Sequence, residues 1–469
     1  MRQPNLLIFL PDQQRTDTIG CYGGAKVHAP SLNKLASESV IFERAYVTHP
    51  VCVPSRASLF TGLWPHQNGC TRNGVALDRR FPVLTELLQN KQHYCCYMGK
   101  WQLGDAPTER GFDDWVTTEK VSDYSQLLNA HGIPSDRPNG TYSRLLVSTL
   151  PFELSKPKFL QDRACQFIKE HRDAPFILVV AYVEPHTPYN SPFNDEHSLD
   201  EIDLDPTALT PPGADIPLRY RLIRERQHAH AIIDRKRLPD LYYVGITPEE
   251  YRRLKQRYFG LVTMVDRSIG AILGCLESAG LTDKTIIVHT SDHGDSMGAH
   301  QLFGKETMFE ESARVPYLVR MPGQRRSIKV TQAISHIDFL PSLLELLGQA
   351  HPAHCQGKSR VPLLRGETMA PENVFLQWAP NRMKAVKWSS IASRRQIKRA
   401  LDESTRSIVT TDLWKLCLRD KDSNELYNLN VDPIEAHNLY HSGKYEEIIA
   451  RGRDEIHRWQ QSVDDTVNI

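Results

Sequence analysis

The sequence predicts an α/β fold: a large, mainly parallel mixed sheet sandwiched by helices, with a smaller C-terminal α+β subdomain. Two observations predict it. Compact apolar runs alternate with segments of helical spacing through the N-terminal half and on to residue 289, and such alternation builds a parallel sheet covered on both faces. After about Ala370 the pattern changes to short strands and one last helix. The expected units are residues 1–370 and 371–469, with 190–243 as an insertion in the first.

Residues 5–10 form a compact apolar run, expected as a buried central strand. Residues 31–39 have helical spacing, with Leu32, Leu35 and Ala36 on one face. Residues 83–88 continue the helical pattern, and 93–99 return to strand with the adjacent thiols Cys95 and Cys96 in or near the core. Residues 176–183 are rich in β-branched side chains and read as a fully buried strand. Residues 258–276 form an amphipathic helix through Leu261, Met264, Val265, Ile269, Ile272 and Leu276, leading into a strand at 285–289. Residues 190–243 are rich in Pro, Asp and Arg without a clear period, which reads as a surface insertion or a pair of loose helices. In the C-terminal unit, strands are expected at 374–378 and 414–418 and a helix at 445–459.

The 469 residues carry 57 basic and 56 acidic side chains, a net charge of +1. That balance argues against a general nucleic-acid binder, which needs a basic surplus. Hydrophobic residues at 40% and charged residues at 24% describe a folded globular chain. No apolar run approaches the roughly 18 residues that span a bilayer, so no membrane partner is expected. The first apolar run is too short for a signal peptide. The expected compartment is therefore the cytoplasm, with most of the nine cysteines as free thiols.

In open α/β sheets, ligands bind beyond the carboxyl ends of the strands. Here those ends carry Asp12-Gln13, Lys100-Trp101-Gln102, Glu184-Pro185-His186 and Asp292-His293. Their coincidence points to one constructed site. Asp12, Gln13, Asp292 and His293 make a metal set. Two carboxylates and an amide oxygen favour Ca²⁺, and the histidine nitrogen leaves Mn²⁺ open. The plainer reading is that the aspartates cap the turns that follow them. Gly304-Lys305 is not a P-loop, because Gly298 stands six residues before Gly304 and Glu306 follows the lysine.

The most specific string is Cys52-Val53-Pro54-Ser55-Arg56, followed by Thr61-Gly62. It resembles the signature of the formylglycine-dependent (type I) sulfatases of the alkaline phosphatase superfamily. Further matches follow in order along the chain: 4–12, Gly99-Lys100-Trp101-Gln102-Leu103-Gly104, Pro185-His186-Thr187-Pro188-Tyr189, 290–294 with Gly304-Lys305, and Glu425-Leu426-Tyr427-Asn428-Leu429. The resemblance implies an alkaline phosphatase-like fold and conversion of Cys52 to formylglycine by a formylglycine-generating enzyme. It implies that the hydrated gem-diol attacks sulfur or phosphorus and displaces an alcohol, after which the second hydroxyl expels the inorganic anion. Cys52 then lies at the metal site with Asp12, Gln13, Asp292 and His293.

Fixed cations stabilise a transferred group that stays negative throughout. Arg56 lies one helical turn after Cys52 and faces the same way. Lys100 and Lys305 are candidates to clamp the sulfuryl or phosphoryl oxygens, and His186 to protonate or bind the leaving-group oxygen. Asn73, in Asn73-Gly74, reads equally as a contact to the substrate anion or as a turn residue. Gln102 stands where sulfatases usually carry histidine, and it cannot transfer a proton at neutral pH. Asp12-Gln13 replaces paired aspartates. Both departures resemble the phosphonate monoester hydrolase branch.

The expected substrate is therefore a small-molecule or saccharide sulfate ester, with a phosphodiester or phosphonate monoester as the alternative. A catalytically dead anion-binding scaffold is a third reading, supported only by Gln102. The basic stretch 219–237, with Arg219, Arg221, Arg224, Arg226, Arg235, Lys236 and Arg237, reads as a lip for a polyanion, or as a solvated helix face or subunit contact. Homo-oligomer formation is left open.

Overall fold

A computed structural model describes residues 3–23, 26–89, 92–119, 122–237, 247–380 and 388–469, with backbone alone for 230–237. Nine strands build the main sheet: β1 (Asn5–Phe9), β2 (Val40–Tyr46), β3 (Tyr94–Gly99), β4 (Asp114–Val116), β5 (Phe176–Ala181), β6 (Thr285–Thr290), β7 (Arg314–Val315), β8 (Tyr317–Arg320) and β9 (Ile328–Ser335). Their order is β4-β3-β5-β1-β6-β8-β2-β7, with β9 also on β2. The run from β4 to β6 is parallel. β8 then pairs antiparallel with β6 and β2, and β9 pairs parallel with β2. The fold is thus the mixed, mostly parallel sheet that the alternation predicts.

β1 explains the sandwich. Successive side chains of a strand point to opposite faces. Leu6, Ile8 and Leu10 enter a core shared with Phe60 and Leu340, while Leu7 and Phe9 enter a second core with Phe167 and Ile269. The helices Cys52–Thr61 and Phe339–Leu346 cover the first face. Pro30–Ser37, Lys156–Glu170 and Pro248–Ser278 cover the second. By length and composition, Pro248–Ser278 is apolar enough to cross a membrane, but 67% of its most apolar stretch is buried inside the protein.

A second sheet, β10 (Val374–Trp378), β11 (Thr405–Val409), β12 (Trp414–Arg419) and β13 (Glu425–Asn428), is antiparallel throughout. The helix Glu446–Ser462 packs on it through Ile449 and Ile456. This sheet backs directly onto the chain that leads to Cys52: Val51 and Tyr46 share a core cluster with Leu376, Trp378 and Val409. Lys415 on β12 joins the two units by an ion pair to Glu310 at 3.0 Å and pairs with Glu435 of its own unit at 2.8 Å.

Several expectations need correction. Residues 83–88 yield only a 3₁₀ turn, Leu84–Leu87, too short to propagate as a helix. Residues 238–243 of segment 190–243 lie outside the described residues. Within the segment, Leu218–Arg237 is a 20-residue helix that buries Tyr220 and Ile223 against the second sheet. Nor does Arg219 belong to a basic lip: it is buried, pairs with Glu403 at 2.6 Å and lies 4.0 Å over the Trp378 ring. The side chains of Arg235, Lys236 and Arg237 lie outside the described residues. Cys165 and Cys275 form a disulfide between helices Lys156–Glu170 and Pro248–Ser278, leaving seven free cysteines.

Candidate active site

The strand order brings the sequence candidates to one end of the sheet. β1 lies between β5 and β6, so Asp12, His186 and Asp292 leave adjacent strand ends. Lys100 follows β3, the next strand over, and can do so because Gly99 has φ +94; a Cβ there would collide with the Ala181 carbonyl. Cys52 comes from a different kind of element, the first residue of a buried helix. Pro54 fits the first turn, where backbone N–H groups lack helical partners. The Val53 amide donates instead to Asn73 Oδ1 at 3.0 Å. Asn73 is therefore both a turn residue before Gly74 and a cap on the Cys52 helix.

Around Cys52 Sγ, Lys305 Nζ stands at 3.0 Å, His293 Nε2 at 3.2 Å and Asp12 Oδ1 at 4.0 Å. Arg56 is fully buried. Its Nε donates to Asp292 Oδ2 at 2.8 Å and its Nη1 to the Lys100 carbonyl at 2.7 Å, while Nη2 lies 3.5 Å from Asp12 Oδ2. One guanidinium thus ties together β6, the end of β3 and β1. Lys100 Nζ donates to Asp12 Oδ2. Three cations, Arg56, Lys100 and Lys305, face two carboxylates, Asp12 and Asp292, which leaves a field suited to an anion.

These charges shift the titrations. Burial would raise the Asp12 carboxyl, but Lys100, Lys305 and His186 outweigh it and hold it well below the usual carboxylate range. Burial and Asp12 raise the Cys52 thiol, whereas Lys100, Lys305 and His293 draw it down, to about 7. Burial and Lys305 push the His186 imidazole well down, against Asp12, so it is neutral at pH 7. Its Nδ1 lies 3.0 Å from the Thr187 carbonyl, so the one proton of the neutral ring is used there and Nε2 is left as an acceptor.

Asp12, Cys52, Asp292 and His293 each present a ligand atom within 4.8 Å of the others, all buried. His293 Nδ1 donates to the Gly294 carbonyl at 2.9 Å, which leaves Nε2 turned toward the cluster. Two carboxylates and an imidazole nitrogen fit a divalent cation. Gln13 sits beside this set. Its backbone N–H donates to Asp292 Oδ1 at 3.1 Å, and its Oε1 accepts from Lys305 Nζ at 3.0 Å.

The residues that fix Gln13 were not anticipated. Asp295, fully buried, accepts from Gln13 Nε2, from Tyr189 Oη at 2.5 Å and from the Gly304 amide at 2.8 Å. Asp295 follows Asp292-His293-Gly294 directly, and Tyr189 ends the Pro185–Tyr189 string, so position in the motif was the available signal. Gln13 and Gln102 share another feature. Both have left-handed backbone, φ +71 and +64, which costs a non-glycine residue free energy and gathers at functional sites.

Comparison with known proteins agrees with this geometry. The sulfatase family profile matches residues 4–349, and a second profile, N-sulphoglucosamine sulphohydrolase, C-terminal, matches 298–462. The chain is 28% identical over 481 residues to the uncharacterized sulfatase YidJ of Escherichia coli (strain K12), covering 99% of this chain and 88% of that one. It is 24% identical to the N-acetylglucosamine-6-O-sulfatase of Bacteroides thetaiotaomicron, covering 95% and 84%. In fold it is similar to a phosphonate monoester hydrolase from Silicibacter pomeroyi, with TM-score 0.78, 23% identity and coverage of 99% and 96%. On the family match over most of its length, and on the site that this length assembles, the chain belongs to the sulfatase family of hydrolases.

Proposed function

We propose that this chain hydrolyses a sulfate ester to an alcohol and inorganic sulfate, with Cys52, converted to formylglycine, as the nucleophile. The observation that carries the reading is the convergence of Lys305, His293 and Asp12 on Cys52 at the start of a buried helix. A helix N-terminus adds partial positive charge at the point of attack. The hydrated aldehyde supplies a nucleophilic oxygen and a second hydroxyl for releasing the anion. A divalent cation, Ca²⁺ before Mn²⁺, would be held by Asp12, Asp292, His293 and the residue-52 oxygen, with Gln13 beside it, and would supply Lewis acidity.

The protein's own groups do the rest. Lys305 and Lys100 bind the sulfuryl oxygens and oppose the charge that builds on them. Arg56 holds Asp292 and the Lys100 backbone in register, so it positions the clamp rather than touching the substrate. His186 lies beside the leaving oxygen; its neutral ring, with Nδ1 3.0 Å from the Thr187 carbonyl, has no proton free to give. Gln102 offers a hydrogen bond without proton transfer.

Phosphonate monoester or phosphodiester hydrolysis is the second reading. Gln13 and Gln102, each in place of a residue usual to sulfatases, favour it. Side-by-side kcat/KM on an aryl sulfate, an aryl phosphodiester and a phenyl phosphonate tests the two. The sulfate ester is expected to lead; a lead of about a hundredfold or more for either phosphorus ester would put the second reading first.

A further inference from the structure

Beside Gln102 the surface opens into a cleft of about 600 Å³. Trp101, Trp115, Tyr142, Arg137, Arg144 and Lys156 line it. Arg144 and Lys156 also line the recess that contains His186, and Arg144 Nη1 lies 3.4 Å from His186 Nδ1. The cleft therefore begins where the leaving group departs.

Charge is its first property. Arg137 and Arg144 are exposed, and the buried Lys156 Nζ sits 5.8 Å from the Tyr124 ring centroid. Among the described residues none of these three cations is in an ion pair. Glu119 lines the cleft and Glu184 lies in the recess beside it. Burial raises the Glu184 carboxyl, with Lys156 opposing. Burial likewise lowers the Lys156 ammonium, so an incoming anion would relieve a desolvated cation.

Unused hydrogen-bonding capacity is the second property. Gln102 Oε1, Trp115 Nε1 and Thr118 Oγ1 are buried without a protein partner, and all three residues line the cleft. They supply an acceptor, a donor and a group that does both. Hydroxyl groups on a ring that stacks on an aromatic face would match them.

Resting on the sulfate-ester reading, we propose that this cleft receives the alcohol part of the substrate, and that this alcohol is a saccharide bearing a second anionic group, a carboxylate or another sulfate, held by Arg137, Arg144 and Lys156. A cationic alcohol would be repelled there.

Calorimetric titration of the Cys52→Ala protein with Ca²⁺ present tests this with three sugars: a hexose monosulfate, the same hexose with a second sulfate, and the matching uronic acid monosulfate. At least one doubly anionic sugar should bind about tenfold or more tighter than the monosulfate, and the arm that does so names the group. Adding Arg137→Gln and Lys156→Gln should bring the ratio to about one, whereas Arg137→Lys should keep it. Equal binding of the three sugars, no binding of any, or a ratio that survives the double substitution overturns the assignment. Sulfate-ester turnover by the converted enzyme with no such preference removes this inference and leaves the sulfatase reading. The preference without turnover of any sulfate ester does the reverse.

Discussion

The reaction centre and the cleft beside it hold their cations in opposite ways. Around Cys52, Arg56 and Lys100 are buried on carboxylates, and Lys305 lies between Cys52 and Gln13. In the cleft, Arg137, Arg144 and Lys156 have no ion-pair partner among the described residues. Cations locked in place need little reorganisation as charge develops, which is the condition for transition-state stabilisation. Cations left without counter-charge gain most from a ligand that brings it. On the proposed reading, the chemistry is pre-organised at the strand ends and selection falls to the loops outside them.

The largest effect that could break this comparison is at the centre. Lys305→Ala should lower kcat on a simple aryl sulfate by about 10² to 10³, with little change in KM, as for loss of one oxyanion donor. Arg137→Gln should leave that same kcat far closer to the parent value. Similar losses for the two would erase the distinction.

The next effect sharpens it through pH. Glu311 stands behind the centre, where its carbonyl abuts Gly294. Burial raises its carboxyl to about 7, with Arg15 opposing. The folded state then keeps a proton that the unfolded state releases near pH 4.5. Stability from this group is present below that pH and is lost as pH rises through about 7, for a total of about 3 kcal/mol. Glu311→Gln should remove this slope. Denaturant unfolding at pH 5 and pH 8 checks it: the variant should gain on the parent at the higher pH. Unchanged pH dependence would show that Glu311 does not carry this cost.

The smallest effect lies in the cleft. Arg137→Gln alone should weaken a doubly anionic sugar by several-fold, about 1 kcal/mol, and less so at high salt. A salt-independent loss would point to altered packing instead.

Much of the centre was legible in the sequence because Asp12, Lys100, His186, Asp292 and His293 follow strands and Cys52 opens a helix within short strings, whereas Lys305 sits in a loop and was read from Gly304-Lys305. Asp12, Cys52, Asp292 and His293 were named from those strings and meet within 4.8 Å. β1, β5 and β6 were legible as continuous apolar runs because both of their faces are buried. β2 was not. Its Glu43-Arg44 pair and the register shift between Phe42 and Arg44 break the alternation that marks a strand. The cleft was illegible for another reason. Arg137, Arg144 and Lys156 sit in separate loop and helix segments with no common spacing, and only the folded chain brings them beside Gln102. The helix 218–237 misled in the same way. Its arginines read as a basic lip or as a solvated helix face or subunit contact, but Arg219 turns inward onto Trp378.

The most direct test of the central claim is to measure sulfate-ester turnover against the fraction of the Cys52 peptide that has lost about 18 Da by conversion to formylglycine. Turnover should rise in proportion to the converted fraction and vanish at zero conversion. Full turnover by protein whose Cys52 is entirely an unmodified thiol would contradict the account.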